Sequence, residues 1–439
     1  MSPRKYAPLI IGALLLTALL LLYFSRSVSW NWNRVNHSDG VAPIEPAGGQ
    51  RIAQLSTDLY VNVSLPSADY ARLVERTERF MLEYPHIRVD ISNERNNTGR
   101  YEHLLTMSNQ GTAPDVMLVD NGGIIPLAVK GLLKPVDSLM TGEVLTDQLP
   151  RLMETLKWNG YLWAVPYRIN PYVVAWNKEL LAEGGLSEPP EQWDTYQALV
   201  EQVVSAPNPS EPGQERYLMN FSPDEFEQLL VWSTRMSGGK ERLINLHALP
   251  EQLLNRLTWM QSAGNVSSIP SHRASDLNEL IEKQRLLMLI MPWEELNGLS
   301  QSARNKLIVE QRDIQYPWLN GASFAISTNS PSESEAMLWI QEMTSPYSSL
   351  KDFEEGGKLP VRPSLYDQMR LITKSGETPP YWWLEALSTK VQGTDSVQPD
   401  PDWPKRWSNW STAWKAAGGR DTDWIDVFVQ MITPAESEE

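Results

Sequence analysis

The chain has 439 residues, 41 % of them apolar, which is enough for two domains with real cores. Its 38 basic and 54 acidic residues leave a net charge of −16, the wrong sign for a nucleic-acid binder or for a domain drawn to anionic lipid. It contains no cysteine, so a disulfide, a thiolate nucleophile, a cysteine-ligated zinc and a lipobox anchor are all excluded.

Arg4 and Lys5 precede an apolar run over 7–24, APLIIGALLLTALLLLYF. As a helix this run would be roughly 27 Å long at about 1.5 Å per residue, close to the hydrocarbon thickness of a bilayer. Positive charge before it keeps that end cytoplasmic and exports the rest. The run is long for a signal-peptide core, which favours an anchor. Ser27 and Ser29 also supply small residues at a cleavage spacing, so residues 1–29 read as a signal peptide or a membrane anchor. Residues 30–54, with Pro43, Pro46, Gly48 and Gly49, read as a linker.

From there the pattern alternates. DLYVNVSL (58–65) reads as a strand, and Leu73, Val74, Thr77, Phe80 and Met81 mark a helix that Pro85 stops. HIRVDIS is the next strand and YEHLLTMSNQG the next helix. VMLV, short and bounded by turn residues, reads as a buried parallel strand, followed by a helix through IIPLAV. Further helices are expected at EQWDTYQALVEQVV, DEFEQLLVWSTRM, PEQLLNRLTWMQSAG and SDLNELIEKQ, and strands at RLLMLIM and ASFAIS. Strand–helix–strand order implies an α/β fold. Trp403, Trp407, Trp410 and Trp414 share one helical face, and core packing explains that stripe better than a membrane or glycan platform.

Enzyme signatures are missing. The five histidines form no HExxH and no close pair, and there is no GxSxG elbow or GxxxxGK[ST] loop. No cofactor motif is present. Glu294 and Glu295 are the best candidates for a glycosidase pair, but neighbours on a helix do not face each other across a bond. DTDWID (421–426) lacks the glycine and terminal glutamate of a calcium loop and reads as a charged helix start.

The stretch GYLWAVPYRINPYVVAWNKELL (160–181) crowds Tyr161, Trp163, Tyr167, Tyr172 and Trp176 around a single Pro–Tyr–Arg step. It is either a core hairpin or a crossover beneath a ligand cleft. In order with RFMLEYPHIRVDI, GTAPDVMLVD, LAVKGLLKPVD, EQWDTYQALVEQV, RLLMLIMPWEEL, NGASFAIS, SESEAMLWIQEM and GKLPVRPSLYD, it resembles the family 1 extracellular solute-binding proteins, which capture sugars for ABC importers. The resemblance covers most of 58–432. It implies a two-lobed periplasmic-binding-protein-like fold with discontinuous lobes and a hinge, after the N-terminal hydrophobic helix. The implied lobes are 55–166 plus 319–351 and 167–318 plus 352–439, with VPYRINP as the first crossover. Proline suits a hinge entrance because it fixes its own φ and restricts its neighbour. Gram-positive members of the family commonly carry a lipobox cysteine, and this chain departs from them there.

A sugar site needs flat rings for stacking and polar groups in fixed directions for hydroxyls. The expected ligand contacts are Tyr167 and Arg168 at the crossover with Trp163 just before it, and Asp120 and Asn121 at the end of VMLV. Trp293 and Glu294 follow the strand LLMLIM, whose carboxyl end opens toward a cleft, and Trp318, Asn320 and Gly321 lie at the second crossover. Each has a bland alternative: hinge packing for Tyr167, an ion pair for Arg168, a helix cap for Asp120 and Asn121, core for Trp293. Trp382 and Trp383 are expected in the core. The resemblance implies a non-enzymatic, monomeric protein at the extracellular face of the cell membrane. It would capture a carbohydrate, most simply an oligosaccharide, for membrane permease subunits. A ligand sensor for a membrane kinase and a glycan hydrolase are the alternatives, separable by neighbouring genes and by turnover.

Overall fold

The computed structural model describes residues 56–94, 100–204, 215–222, 225–236, 250–262, 273–311, 314, 316, 318–372, 382–388, 401–417 and 424–432. The apolar run 7–24 lies outside them. Among the described residues no helix is long and apolar enough to cross a membrane.

The first sheet begins with three parallel strands, β1 (Thr57–Val63), β2 (Ile87–Asn93) and β3 (Val116–Asp120), as the apolar runs and intervening helices require. A late strand, Ala322–Ser327, joins β3 antiparallel and pairs Ala322 with Asp120. On its other side lie β4 (Leu133–Lys134) near its end and Val165–Arg168 near its start, where Ala322 also pairs with Arg168. Asp120, Ala322 and Arg168 therefore lie side by side on one edge of the sheet.

Numbered in chain order, the hairpin strands are β5 (Lys157–Trp158) and β6 (Tyr161–Leu162), and Val165–Arg168 is β7. Asn159 and Gly160 turn the hairpin with φ of 51° and 81°, as a two-residue Asn-Gly turn demands. The second sheet has the order β11-β8-β10-β9, from β8 (Tyr172–Asn177), β9 (Tyr217–Met219), β10 (Leu286–Pro292) and β11 (Leu307–Val309). All of β10 is buried, which explains its unbroken apolar run. The late strand Ala322–Ser327 is β12.

Two hydrophobic cores accompany the two sheets. The first gathers β1, β3 and β12 with Phe80 and Trp339, and the second gathers β8 and β10 with Trp176, Trp232 and Trp383. The helix Trp403–Ala417 buries Trp403, Trp410 and Trp414 in the second core and rests Trp407 on Phe226, so its tryptophan stripe is core. The chain passes between the sheets at Ile169–Pro171 and again between Val309 and Ala322. A third connection follows the helix Glu333–Met343, which packs in the first core, and leads to Phe353, Leu359 and Val361 in the second. Ile169 and Leu359 form a bridge that ties the first connection to the third. The short helix Pro150–Glu154 leans on both cores: Leu152 enters the second, Met153 the first.

One helix departs from its sequence reading. Ser67–Glu83 buries Leu73, Thr77 and Phe80 as its spacing implies, but it also buries Asp69 and Arg76, while Val74 and Met81 are only partly covered. Buried charges are stable only with partners, and the partners of these two define the site.

Candidate ligand site

The Ile169–Pro171 connection is sewn to the second sheet. Pro171 accepts from the Trp293 amide at 3.0 Å, and the Asn170 side chain accepts from the Glu294 amide at 3.0 Å. These bonds fix the start of the helix Trp293–Asn297 beside Arg168. Tyr172 and Pro292, paired across β8 and β10, carry the second sheet to the same edge.

Charges from both sides converge there. Asp69 receives Arg72 at 2.5 Å, Lys358 at 3.0 Å and Arg168 at 3.6 Å. Lys358 also meets Glu294 at 2.5 Å. The Asp69 Oδ2 atom is held by charge alone, because neither cation near it donates along a good hydrogen-bond direction. Behind this group Asp352 accepts from Arg76 at 2.8 Å and from the Tyr167 hydroxyl at 3.2 Å. Burial raises the Asp352 pKa, and Arg76 opposes the rise. Burial likewise raises that of the Tyr167 hydroxyl, with Asp352 adding to it. Asp69, Tyr167, Arg168, Asp352 and Lys358 line a small cavity whose free space is about 10 Å³, close to that of a single water.

Asp120 is reached by solvent, yet the surrounding protein desolvates its carboxylate and raises its pKa, against the pull of Arg100 and Arg168. On the second sheet's side several carboxylates act on one another. Burial pushes Glu295 up to about 7, and Glu225 and Glu294 add to it. Burial also pushes Glu227 up to about 7, against its backbone hydrogen bond, with Glu225 adding. Burial pushes the Tyr172 hydroxyl upward, and the charges of Glu227, Glu225 and Glu295 add to that rise. This wall is a bank of acceptors suited to donors such as hydroxyls.

Of the residues expected from sequence, Tyr167, Arg168 and Glu294 come together in the charged group, and Asp120 and Asn320 stand on the first sheet's edge. Asn320 is exposed and takes a φ of 61°. Trp163 is partly buried on the hairpin, bonded to the Trp158 carbonyl and edge-on to Tyr161. Asn121 and Gly321 are buried structural pieces: the Asn121 amide donates to the Gly321 carbonyl, and its side chain accepts from Ser323 at 2.6 Å. Trp293 and Trp318 do not present a ring to solvent. Trp293 packs on Trp383 and Trp318 edge-on to Trp403, both in the second core, because each indole follows a strand or turn into apolar surroundings. Asp69, Arg72, Arg76, Asp352 and Lys358 were missed. The weak clue was two charges of opposite sign, Asp69 and Arg76, on the apolar side of a helix. Among the described residues no cluster of histidines and carboxylates is placed to hold a metal.

Residues 75–380 match the family model described as bacterial extracellular solute-binding protein. A maltotriose-binding protein of Pyrococcus abyssi is 26 % identical over 107 residues, which span 24 % of this chain and only 21 % of that protein. Among solved structures, maltose-bound MalE3 of T. maritima aligns at 18 % identity with a TM-score of 0.63, covering 86 % of this chain and 98 % of that one. An ABC transporter solute-binding protein of Thermotoga lettingae, bound with α-D-tagatose, aligns at 18 % identity with a TM-score of 0.61, covering 86 % and 99 %.

Proposed function

Because the chain belongs to the bacterial extracellular solute-binding proteins, we propose that it captures a carbohydrate, an oligosaccharide in particular, and passes it to ABC permease subunits without chemical change. The two sheets with their cores act as lobes moving about the three connections, 55–168 plus 319–356 and 169–318 plus 357–439, in place of the 55–166 plus 319–351 and 167–318 plus 352–439 expected from sequence, because Arg168 pairs within the first sheet and Asp352 pairs with Arg76 of a first-core helix. Residues 7–24 hold the protein at the outer face of the membrane. Ligand that bridges both lobes favours the closed arrangement by its differential affinity.

The observation that carries this reading is the convergence of polar groups from both sheets at the crossover, where Lys358 joins Asp69 of the first side to Glu294 of the second. Asp120 and Arg168 come from the first sheet, and Tyr172 and Glu295 come from the second. Sugar hydroxyls both donate and accept, and Asp120, Glu227 and Glu295 supply acceptors where water is partly excluded. The relatives named above are maltose-, maltotriose- and tagatose-binding, which supports the substrate class.

A thermal-shift screen with maltose, maltotriose, tagatose and longer oligosaccharides tests it. A sugar at a hundred times its dissociation constant stabilises the fold by about 2.7 kcal/mol. If only a non-sugar solute stabilises the protein, the carbohydrate reading is wrong. The anchor is tested separately: the native chain should pellet with membranes, and a soluble product beginning at Trp30 would make residues 1–29 a cleaved signal.

A further inference from the structure

We propose that Lys358 latches the second lobe to Asp69 of the first, setting the balance between open and closed forms. The proposal rests on the two-lobe reading above.

Lys358 adjoins Leu359 in the second core, whereas Asp69 lies on a helix whose apolar residues fill the first. Their 3.0 Å contact therefore crosses from one side to the other. Glu294, the other partner of Lys358, stands on Lys358's own side, beside Trp293 and Leu296 of the second core. Separation of the lobes breaks Lys358–Asp69 and spares the other ion pairs of the charged group. Asp69 keeps Arg72 and Arg168, and Lys358 keeps Glu294. Removing the only partner of a buried ion is strongly unfavourable. Here neither ion is stranded, so the contact can open and reclose. Lys358 and Asp69 are only 16 % and 10 % exposed, so salt screens them weakly while the lobes are shut and strongly once they part.

A second contact crosses at the other end of the edge. Gly122, in the first turn of the helix Asn121–Val129, faces Trp403 and Trp318 of the second core. A β-carbon there would lie 2.8 Å from Trp403 Nε1 and 3.2 Å from Trp318 Cζ3. The bare glycine lets the indoles lie against the first-lobe helix. Closure thus has an ionic part at Lys358 and a steric part at Gly122, and each can be altered without the other.

The test uses electron–electron distance measurement between nitroxides at Leu82→Cys and Gln301→Cys, both exposed and on opposite lobes, with no added sugar. The absence of native cysteine makes the labelling unambiguous. Gly122→Leu marks the open distance by wedging the helix off the indoles. Lys358→Met should raise the open-to-closed ratio about tenfold, a modest share of the attraction between opposite charges in a partly buried ion pair, and Lys358→Arg should leave it near wild type. At about 1 M salt, where screening acts within about 3 Å, wild type should move toward the Lys358→Met distribution and that variant should not move further. If Lys358→Met superimposes on wild type while Gly122→Leu shifts, the latch is overturned. A wild-type distribution that ignores salt overturns it as well, even if Lys358→Met fails to fold. Sugar titration of the same label pair reports on the carbohydrate reading alone, so the two ideas fail separately.

Discussion

The two sides of the crossover handle charge in opposite ways. The first gathers Asp69, Arg72, Arg76, Arg168 and Asp352 and answers each charge with its opposite at 2.5 to 3.7 Å. The second sets the charges of Glu225, Glu227 and Glu295 against one buried tyrosine hydroxyl with no cation among the causes of its shift, and two of those carboxyls are pushed up to about 7. Paired charges are satisfied by their own protein and serve architecture. Crowded acceptors of one sign gain most from donors brought by something else. Stability should therefore reside in the first wall and in the tryptophan core behind the second, and selectivity in the carboxylates.

The largest effects should fall on buried partners. Asp352→Ala leaves Arg76 buried without its carboxylate and the Tyr167 hydroxyl without its acceptor, and should destabilise the fold by about 3–5 kcal/mol in denaturant titration. A loss below about 1 kcal/mol would mean that the first wall is not held by its pairs. Trp293→Ala should cost about the same, 3–5 kcal/mol, by opening a cavity against Trp383. Normal stability with lost sugar binding would instead move Trp293 from the core to the site.

Smaller effects test the acceptors. Asp120→Ala removes a desolvated carboxylate and should weaken sugar binding about tenfold or more while the melting temperature stays near wild type. Unchanged affinity by calorimetry would remove Asp120 from the site. The smallest effect concerns pH. Glu227 and Glu295 titrate near 7 in the folded protein, above the ordinary glutamate value of 4.5. The folded chain thus holds protons that the unfolded chain has released between about pH 4.5 and 7. Their contribution to stability is present at the acid end and is lost as pH rises through that window. Replacing both by Gln should raise the melting temperature by about 1–2 °C at pH 8, change little at pH 4, and flatten the profile between. A profile as steep as wild type would place the carboxylates in open water.

Much of the fold could be read directly from the residues. VMLV, RLLMLIM and ASFAIS became buried strands because an unbroken apolar run can only be covered on both faces. VPYRINP runs from β7 of the first sheet to the start of β8 in the second, and Pro171 stands directly before β8, at the first of the three places where the chain passes between the sheets. The site was less legible. Tyr167, Arg168, Glu294 and Asp120 lie along the crossover, whereas the indoles of Trp293 and Trp318 turn inward. A residue number after a strand tells where a side chain starts, whereas its direction depends on neighbours such as Trp383 and Trp403.

What the sequence determined by itself is what depends on near neighbours: which segments are strands or helices, where they stop, and that Trp403, Trp410 and Trp414 share a face. What only the tertiary structure decided is which charges meet. Arg76 and Asp352 are 276 residues apart, and Asp69 meets Lys358 only because two separate cores place their helices against one connection. Helical periodicity acts over a few residues, but a Coulomb pair acts over a few ångströms of space, and only the folded chain converts one distance into the other.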